Sequence, residues 1–289
     1  MPRKPRTLSM PWAIFWLLSG FYLLTLSGHT YSPDEETMLA VTRSLLARGE
    51  VAVVAEEVGS VAALRPGRDG GRYAPYGLLP SLLALPLHGL GAMLGGSEAA
   101  ARDYASRFAV TALNGPLTAA TAALLAAWAL RLGATHEWAL LLGLSYGLAT
   151  FAWPYARTFF SEPLAALLIL VAAERTHAAV TSLHPRRDLL LVGGAVGLLL
   201  TTRLAAGVVL PVLGVAALVA SWCVAQRQQS SGCGPLAEPA KANGPLAEPA
   251  KANGPLAEPV EANGPLAEPA KANGPLAEPA KANGPLAEP

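Results

Sequence analysis

Lysine is almost missing from this sequence: Lys4 is the only one ahead of a repetitive C-terminal segment, and arginine supplies every other cation there. Charge of either sign is scarce, at 14% of 289 residues, while 52% are hydrophobic and fall in long runs instead of alternating. That profile belongs to a multispanning membrane protein and speaks against a soluble globular core. With a formal net charge of +1 there is no basic surplus of the kind that nucleic acid requires. Cysteine is nearly absent as well, and Cys223 and Cys233 have neither disulfide-framework nor metal-ligand spacing. His29, His88, His136, His177 and His184 also lack ligand spacing.

What the chain does have is apolar runs. The opening "MPRKPR" followed by "MPWAIFWLLSGFYLLTLS" (residues 10–27) has the look of a signal peptide, but the run is long enough to span and no A-x-A-like cleavage site follows. It reads as an uncleaved anchor whose Arg3, Lys4 and Arg6 hold residues 1–9 in the cytoplasm. Further spans are expected at 108–130, 138–153, 163 to about 179, 189–202 and 204–224, two of them short against the roughly 20 residues a bilayer needs. The fold class expected is therefore all-α, a polytopic membrane bundle of about six spans.

The segment "LLPSLLALPLHGLGAML" (78–94) is apolar but interrupted by Pro80, Pro86, Gly89 and Gly91. If it crossed the membrane, Arg131, Arg175, Arg186 and Arg187 would fall outside. If it only dips into the outer leaflet, those four become cytoplasmic and Arg157 and Arg203 occupy short outer turns, as the positive-inside rule favours. The second layout makes 28–107 a long extracytoplasmic loop with amphipathic and dipping helices, and 108–226 the remaining spans. It predicts a multi-pass protein of the cell (inner) membrane with both ends cytoplasmic. From Gly234 the decapeptide "GPLAEPAKAN" recurs, with Val260 and Glu261 as the only departures. Its Gly-Pro and Glu-Pro steps forbid an uninterrupted helix, so 227–289 is expected to be a disordered, extended tail.

Three adjacent carboxylates follow the first run, in "YSPDEETMLA" (31–40). Ser32 suits an N-cap, Pro33 the first helical position, the acids complement the helix dipole, and Ser32 with Glu35 has capping-box spacing. Met38, Val41, Leu45 and Leu46 would form one apolar face, and Gly49 would end the helix. The same acids are candidate catalytic groups. Glu162 in "YARTFFSEPLAALLIL" stands at the mouth of an apolar run, where a carboxylate inside hydrocarbon would cost about 2.5 to 3.5 kcal/mol. Ser161, Glu162 and Pro163 could simply start a helix, with Arg157 as an ion-pair partner. "GRYAPYGLLP" supplies Arg72, Tyr73 and Tyr76, either an interfacial belt or a binding set. Arg203, in "LLTTRLAAG", sits where a hairpin turn must meet headgroups or a buried anion.

Taken in order, "SPDEETMLAVTRSLLARGEV", "GRYAPYGLLPSLLALPLHGLG", "WPYARTFFSEPLAALLIL" and "GGAVGLLLTTRLAAGVVLPVL" resemble the membrane-embedded GT-C glycosyltransferase superfamily. That group includes protein O-mannosyltransferases, aminoarabinose transferases and rhizobial lipopolysaccharide-type transferases. The resemblance covers roughly residues 10 to 225. It implies inverting transfer of a sugar from a polyprenyl-phosphate carrier to an acceptor hydroxyl on a glycan, lipid or protein, at the extracytoplasmic face. It implies Asp34 as base, Glu35 and Glu162 as further catalytic acids, and Arg72, Tyr73, Tyr76, Arg157 and Arg203 as substrate-binding residues. No metal or other cofactor is expected, because metal-using relatives carry a richer cluster of acids. Relatives often have a lysine in the "GRYAPYG" region, where this chain has only Arg72. They are also longer, and the repeat stands where their C-terminal part would be, so a truncated, inactive remnant is one alternative. A transporter or flippase is another, with charges lining a path across the bilayer.

Overall fold

The structure is a computed structural model that describes residues 9–54, 64–181 and 184–232, with side chains to 226. Arg3, Lys4, Arg6, Cys233 and the decapeptide repeats lie outside the described residues. Helices dominate: α1 (Met10–Leu24), α2 (Pro33–Arg48), α3 (Leu79–Leu94), α4 (Ala99–Thr111), α5 (Asn114–Arg131), α6 (His136–Leu148), α7 (Ala152–Tyr155), α8 (Glu162–Thr181), α9 (Pro185–Thr202) and α10 (Leu210–Gly232). A two-stranded antiparallel hairpin, β1 (Arg65–Pro66) with β2 (Arg72–Tyr73), precedes α3, and a 3-10 turn, Leu204–Val209, precedes α10. Among the described residues three helical stretches are long and apolar enough to cross a bilayer: Ala99–Arg131, Glu162–Thr181 and Leu204–Gln226. The chain thus has the character of a membrane protein.

Two apolar cores hold the long helices. Ile14, Leu18 and Tyr22, one face of α1, bury against Ala119, Ala122 and Ala126 of α5, and the alanines let the two backbones approach as small residues do between membrane helices. The Tyr22 hydroxyl donates to the Gly147 carbonyl of α6 at 2.8 Å, which satisfies a polar group that would be costly in an apolar bundle. The opposite face of α1 leaves Trp12, Trp16 and Leu24 exposed, as a lipid-facing surface does. In the second core Leu164, Leu168 and Ala172 of α8 meet Ala195 and Leu199 of α9 and Leu213 of α10.

Charges stand at the start of α8 and again about two-thirds of the way along it. Glu162 opens the helix and pairs with Arg203, just after α9. Farther along, the buried Glu174 is held by Arg131 of α5 and Arg175, and Arg175 also reaches the buried Asp188 of α9 at 3.2 Å.

Helices α2, α3 and α4 form a separate layer. Helix α2 is capped as its sequence dictates: the Ser32 hydroxyl accepts from the Glu35 amide, Pro33 is the first residue, and Gly49 ends the helix in the left-handed conformation at φ 71°. It is more deeply enclosed than a half-buried surface helix. Met38 and Val41 are buried as expected, but so are Thr37, Leu39, Ala40, Thr42 and Ser44, while Leu46 is exposed. The Ser81 hydroxyl donates to the Met38 carbonyl at 2.9 Å, and Thr42 donates to that of Ser81 at 3.3 Å. Arg107 of α4 binds Glu36 and Asp103, and Asp103 also takes Arg43.

Three boundaries differ from the sequence expectations. Residues 79–94 form one helix with Pro86 inside it. The run 108–130 is divided between α4 and α5 at Ala112 and Leu113, and α4 begins nine residues earlier. Helix α10 continues to Gly232, past the composition break at 226.

Gly77 fixes how the layer meets the bundle. A Cβ there would stand on the carbonyl oxygens of Thr201 and Thr202 at the end of α9, deep inside van der Waals contact. Gly77→Ala is therefore expected to lower the thermal unfolding temperature of the detergent-solubilised chain, at an overpacking cost of about 1 to 3 kcal/mol. Gly89→Ala, in α3 with nothing within 4 Å of a new Cβ, should hold or raise it by the helix preference of alanine. Tryptophan fluorescence during a thermal ramp makes the comparison, and equal losses in both variants would refute the close-contact argument.

Candidate functional site

The first turn of α2 sends its three acids in three directions, because successive helical residues are about 100° apart. Asp34 points into a cavity of about 210 Å³. Glu35 turns inward and is completely buried. Glu36 faces α4 and Arg107.

The cavity is built from four separate segments. Helix α2 gives Asp34 and Met38, the stretch after the hairpin gives Pro75, Tyr76 and Gly77, the turn into α8 gives Phe160, Ser161 and Glu162, and the end of α9 gives Thr202 and Arg203. The Tyr76 hydroxyl donates to Asp34 Oδ1. Burial first, and then the neighbouring Asp34 carboxylate, push the Tyr76 phenol up to about 12, so at neutral pH it remains the donor of that bond. Arg203 Nη1 donates to Glu162 Oε1. A guanidinium has five N–H donors in a fixed fork, so this pairing leaves most of them for a second anion. The cavity wall therefore presents a carboxylate held by a phenol on one side and a carboxylate-guanidinium pair on the other.

A second, almost wholly apolar trough of about 320 Å³ shares Glu162 as a wall residue. Its other walls include Tyr146, Phe151, Tyr155, Pro163 and Ala166. Glu162 thus separates a polar chamber from an apolar groove.

Of the eight residues singled out in the sequence, Asp34, Tyr76, Glu162 and Arg203 meet in this cavity. Glu35 does not line it; Glu35 Oε2 accepts from the Tyr31 amide at 2.7 Å, one residue ahead of the Ser32 amide that the return half of a capping box uses. Burial pushes the Glu35 carboxyl above the ordinary glutamate range. Oε1 is left without a full hydrogen bond, and the Tyr31 and Phe159 amides offset only part of the burial effect. Arg72 lies in β2, exposed, with its carbonyl accepting from the Val53 amide at 2.8 Å. Tyr73 is drawn onto the hairpin turn, its hydroxyl donating to Asp69 Oδ2 at 2.5 Å. Arg157 is not the partner of Glu162; Arg203 is. The Arg157 carbonyl accepts from the Ser27 hydroxyl at 3.3 Å, and its Nε is buried with no hydrogen-bond partner among the described residues.

Sequence reasoning missed Asn114. Buried at the start of α5, its side-chain amide donates to the carbonyls of Thr158 at 2.7 Å and Phe160 at 2.8 Å. This pair of bonds sets the turn that delivers Glu162. The signal was present as a lone asparagine in the apolar stretch "VTALNGPLTAAT".

Among the described residues no group of three or more His, Cys, Asp and Glu side chains stands close enough to hold a metal ion. No protein-family model, curated relative or solved structure matches the chain.

The buried Glu35 gives a signed pH dependence. Its folded state binds the proton more tightly than the unfolded chain does, so its contribution to stability is complete below the ordinary glutamate range and is lost as pH rises through the raised value. Glutamine cannot ionise. The unfolding temperature of Glu35→Gln minus that of the unaltered chain is expected to climb across this window and level off above it; a difference independent of pH would rule the linkage out.

Proposed function

We propose that the chain transfers a sugar from a polyprenyl-phosphate carrier to an acceptor hydroxyl at the extracytoplasmic face of the cell membrane, with inversion at the anomeric carbon. In this reading α1, α5, α6, α8, α9 and α10 are the six spans, α3 lies in the outer leaflet, and the N-terminus and the repeat tail are cytoplasmic. The layout puts Asp34, Glu162 and Arg203 on the outer side and Arg131, Arg175, Arg186 and Arg187 on the inner one, in keeping with the positive-inside rule. The resemblance to GT-C transferases in the order of the acidic and aromatic motifs agrees with it.

One observation carries the proposal: Asp34 and Glu162, distant in sequence and on separate helices, share a small cavity with a single arginine. The chemistry follows from their types. Asp34 accepts the proton of the acceptor hydroxyl as its oxygen bonds to the anomeric carbon. The bond from that carbon to the phosphate oxygen breaks, and Arg203 pairs with the departing phosphate. Tyr76 orients Asp34 and leaves one carboxylate oxygen for the hydroxyl. Glu162 holds Arg203 in place. The apolar trough beyond Glu162 suits the prenyl chain, which keeps hydrocarbon contact while the phosphate and sugar enter the polar chamber.

A transport role has one observation in its favour: Glu174 is buried in the bundle with Arg131, Arg175 and Asp188, and ionisable groups between spans often mark a path. Those four charges are mutually paired. Flux of a lipid-linked sugar in proteoliposomes without any transferred product would favour this second reading.

The purified full chain, given a radiolabelled polyprenyl-phosphate sugar and membrane acceptors, is expected to form labelled product. Asp34→Asn should lower kcat about 100-fold or more, the ordinary size of a general-base effect. Unchanged turnover in Asp34→Asn at normal expression would reject the role. Arg203→Gln should raise KM for the lipid-linked donor more than it changes the response to acceptor concentration. The opposite split would remove Arg203 from the phosphate site.

A further inference from the structure

The cavity that holds Asp34 is short of positive charge. Two carboxylates, Asp34 and Glu162, line it, and Arg203 is the one cation among its lining residues. That guanidinium is already bound to Glu162. The hydroxyl donors beside it are committed as well: that of Tyr76 goes to Asp34, and that of Thr202 donates to the Leu198 carbonyl at 2.8 Å. The apolar trough on the other side of Glu162 has no Arg, Lys or His among the described residues of its wall. Any phosphate seated between trough and chamber therefore meets one guanidinium, which it shares with Glu162.

Such a site grades phosphate ligands by charge. A phosphodiester carries a single negative charge, which the open N–H donors of Arg203 can match. A phosphomonoester ionises a second time at about pH 6, so at neutral pH it is close to doubly charged, and a diphosphate carries at least as much. The added charge finds no second cation in either wall and is repelled by the Glu162 carboxylate. The same contrast separates donor from product. When the bond from the anomeric carbon breaks, the phosphate oxygen keeps the electron pair and the proton of the acceptor hydroxyl rests on Asp34, which is thereby neutral. What remains in the cavity is a monoester beside the Glu162 carboxylate.

We propose that Glu162 sets the phosphate selectivity of this cavity: it admits a singly charged phosphodiester, disfavours a monoester or a diphosphate, and so speeds departure of the carrier phosphate after transfer. The proposal rests on the glycosyl-transfer reading, in which a lipid-linked phosphate enters the cavity. It gives Glu162 a task beyond holding Arg203, exerted through the charge of the ligand.

Equilibrium binding to the immobilised full chain in non-ionic detergent tests it, at about pH 8 so that the monoester is fully ionised. The probes are tritiated polyprenyl esters of one chain length: the methyl phosphodiester, the monophosphate and the diphosphate. The unaltered chain is expected to bind the diester about fivefold more tightly than either of the others, the size of an exposed charge interaction. Glu162→Gln, which keeps the shape of the side chain and an acceptor for Arg203, should bring the affinities together. A Glu162 that merely positioned Arg203 would weaken every probe alike when replaced, so a preference that survives in Glu162→Gln overturns the proposal. Equal or tighter binding of the diphosphate by the unaltered chain also overturns it, and that result needs no variant to fold. Either outcome leaves the transfer reading untouched. Failure of every probe to bind would instead remove phosphate from the cavity, and the proposed donor would fall together with the selectivity.

Discussion

The first turn of α2 is the constraint on which the rest of the arrangement depends. Asp34, Glu35 and Glu36 are adjacent in sequence, yet each is held by a different part of the chain: Tyr76 after the hairpin, the backbone at Tyr31 and near Phe159, and Arg107 of α4. A helix start normally gathers acids because they complement its dipole and cap its free amides. Here the same residues also tie α2 to the stretch after the hairpin, to α4 and, through Glu35, to the turn before α8. Moving any one acid by a single position would turn it about 100° away from its partner, so the capping role and the site geometry depend on one register.

A second constraint is the pairing of α8 with α9. These helices run antiparallel and are bracketed by ion pairs, Glu162 with Arg203 at one end and Arg175 with Asp188 at the other. Alanines and leucines alone slide easily past one another, since hydrophobic packing has no direction. Charged pairs resist such sliding, most strongly at the buried Asp188, which a shift of one turn would leave unmatched in a poorly solvating environment. The apolar middle supplies adhesion and the ends supply alignment.

Much of this could be seen in the sequence, and the parts that could not have physical reasons. Ser32, Pro33 and Gly49 announced the limits of α2 because capping is local chemistry. Asp34, Glu162 and Arg203 stood out because charges at the edges of apolar runs are few. Pairing was less accessible: Arg157 is near Glu162 in the chain, but the partner is Arg203, supplied by a helix that returns to the same end. Arg72 and Tyr73 were grouped with Tyr76 by proximity, whereas hairpin pairing and the Tyr73–Asp69 bond turn them away from the cavity. Residues 78–94 looked interrupted because Pro86 forfeits one backbone hydrogen bond, a loss the helix tolerates when its buried side packs against neighbours. Asn114 went unnoticed since its importance lies in two carbonyls more than forty residues away.

The hydroxyl of Tyr76 makes the two oxygens of Asp34 unlike each other. Oδ1 is engaged by a phenol that stays protonated at neutral pH, so its twin is the less encumbered acceptor for an alcohol entering the chamber. An open oxygen on a side chain whose rotation is pinned by the Tyr76 bond selects among the several hydroxyls of a polyol by direction more than by acidity. The regiochemistry of any reaction run here would then be written into an aromatic ring that never touches the reacting carbon.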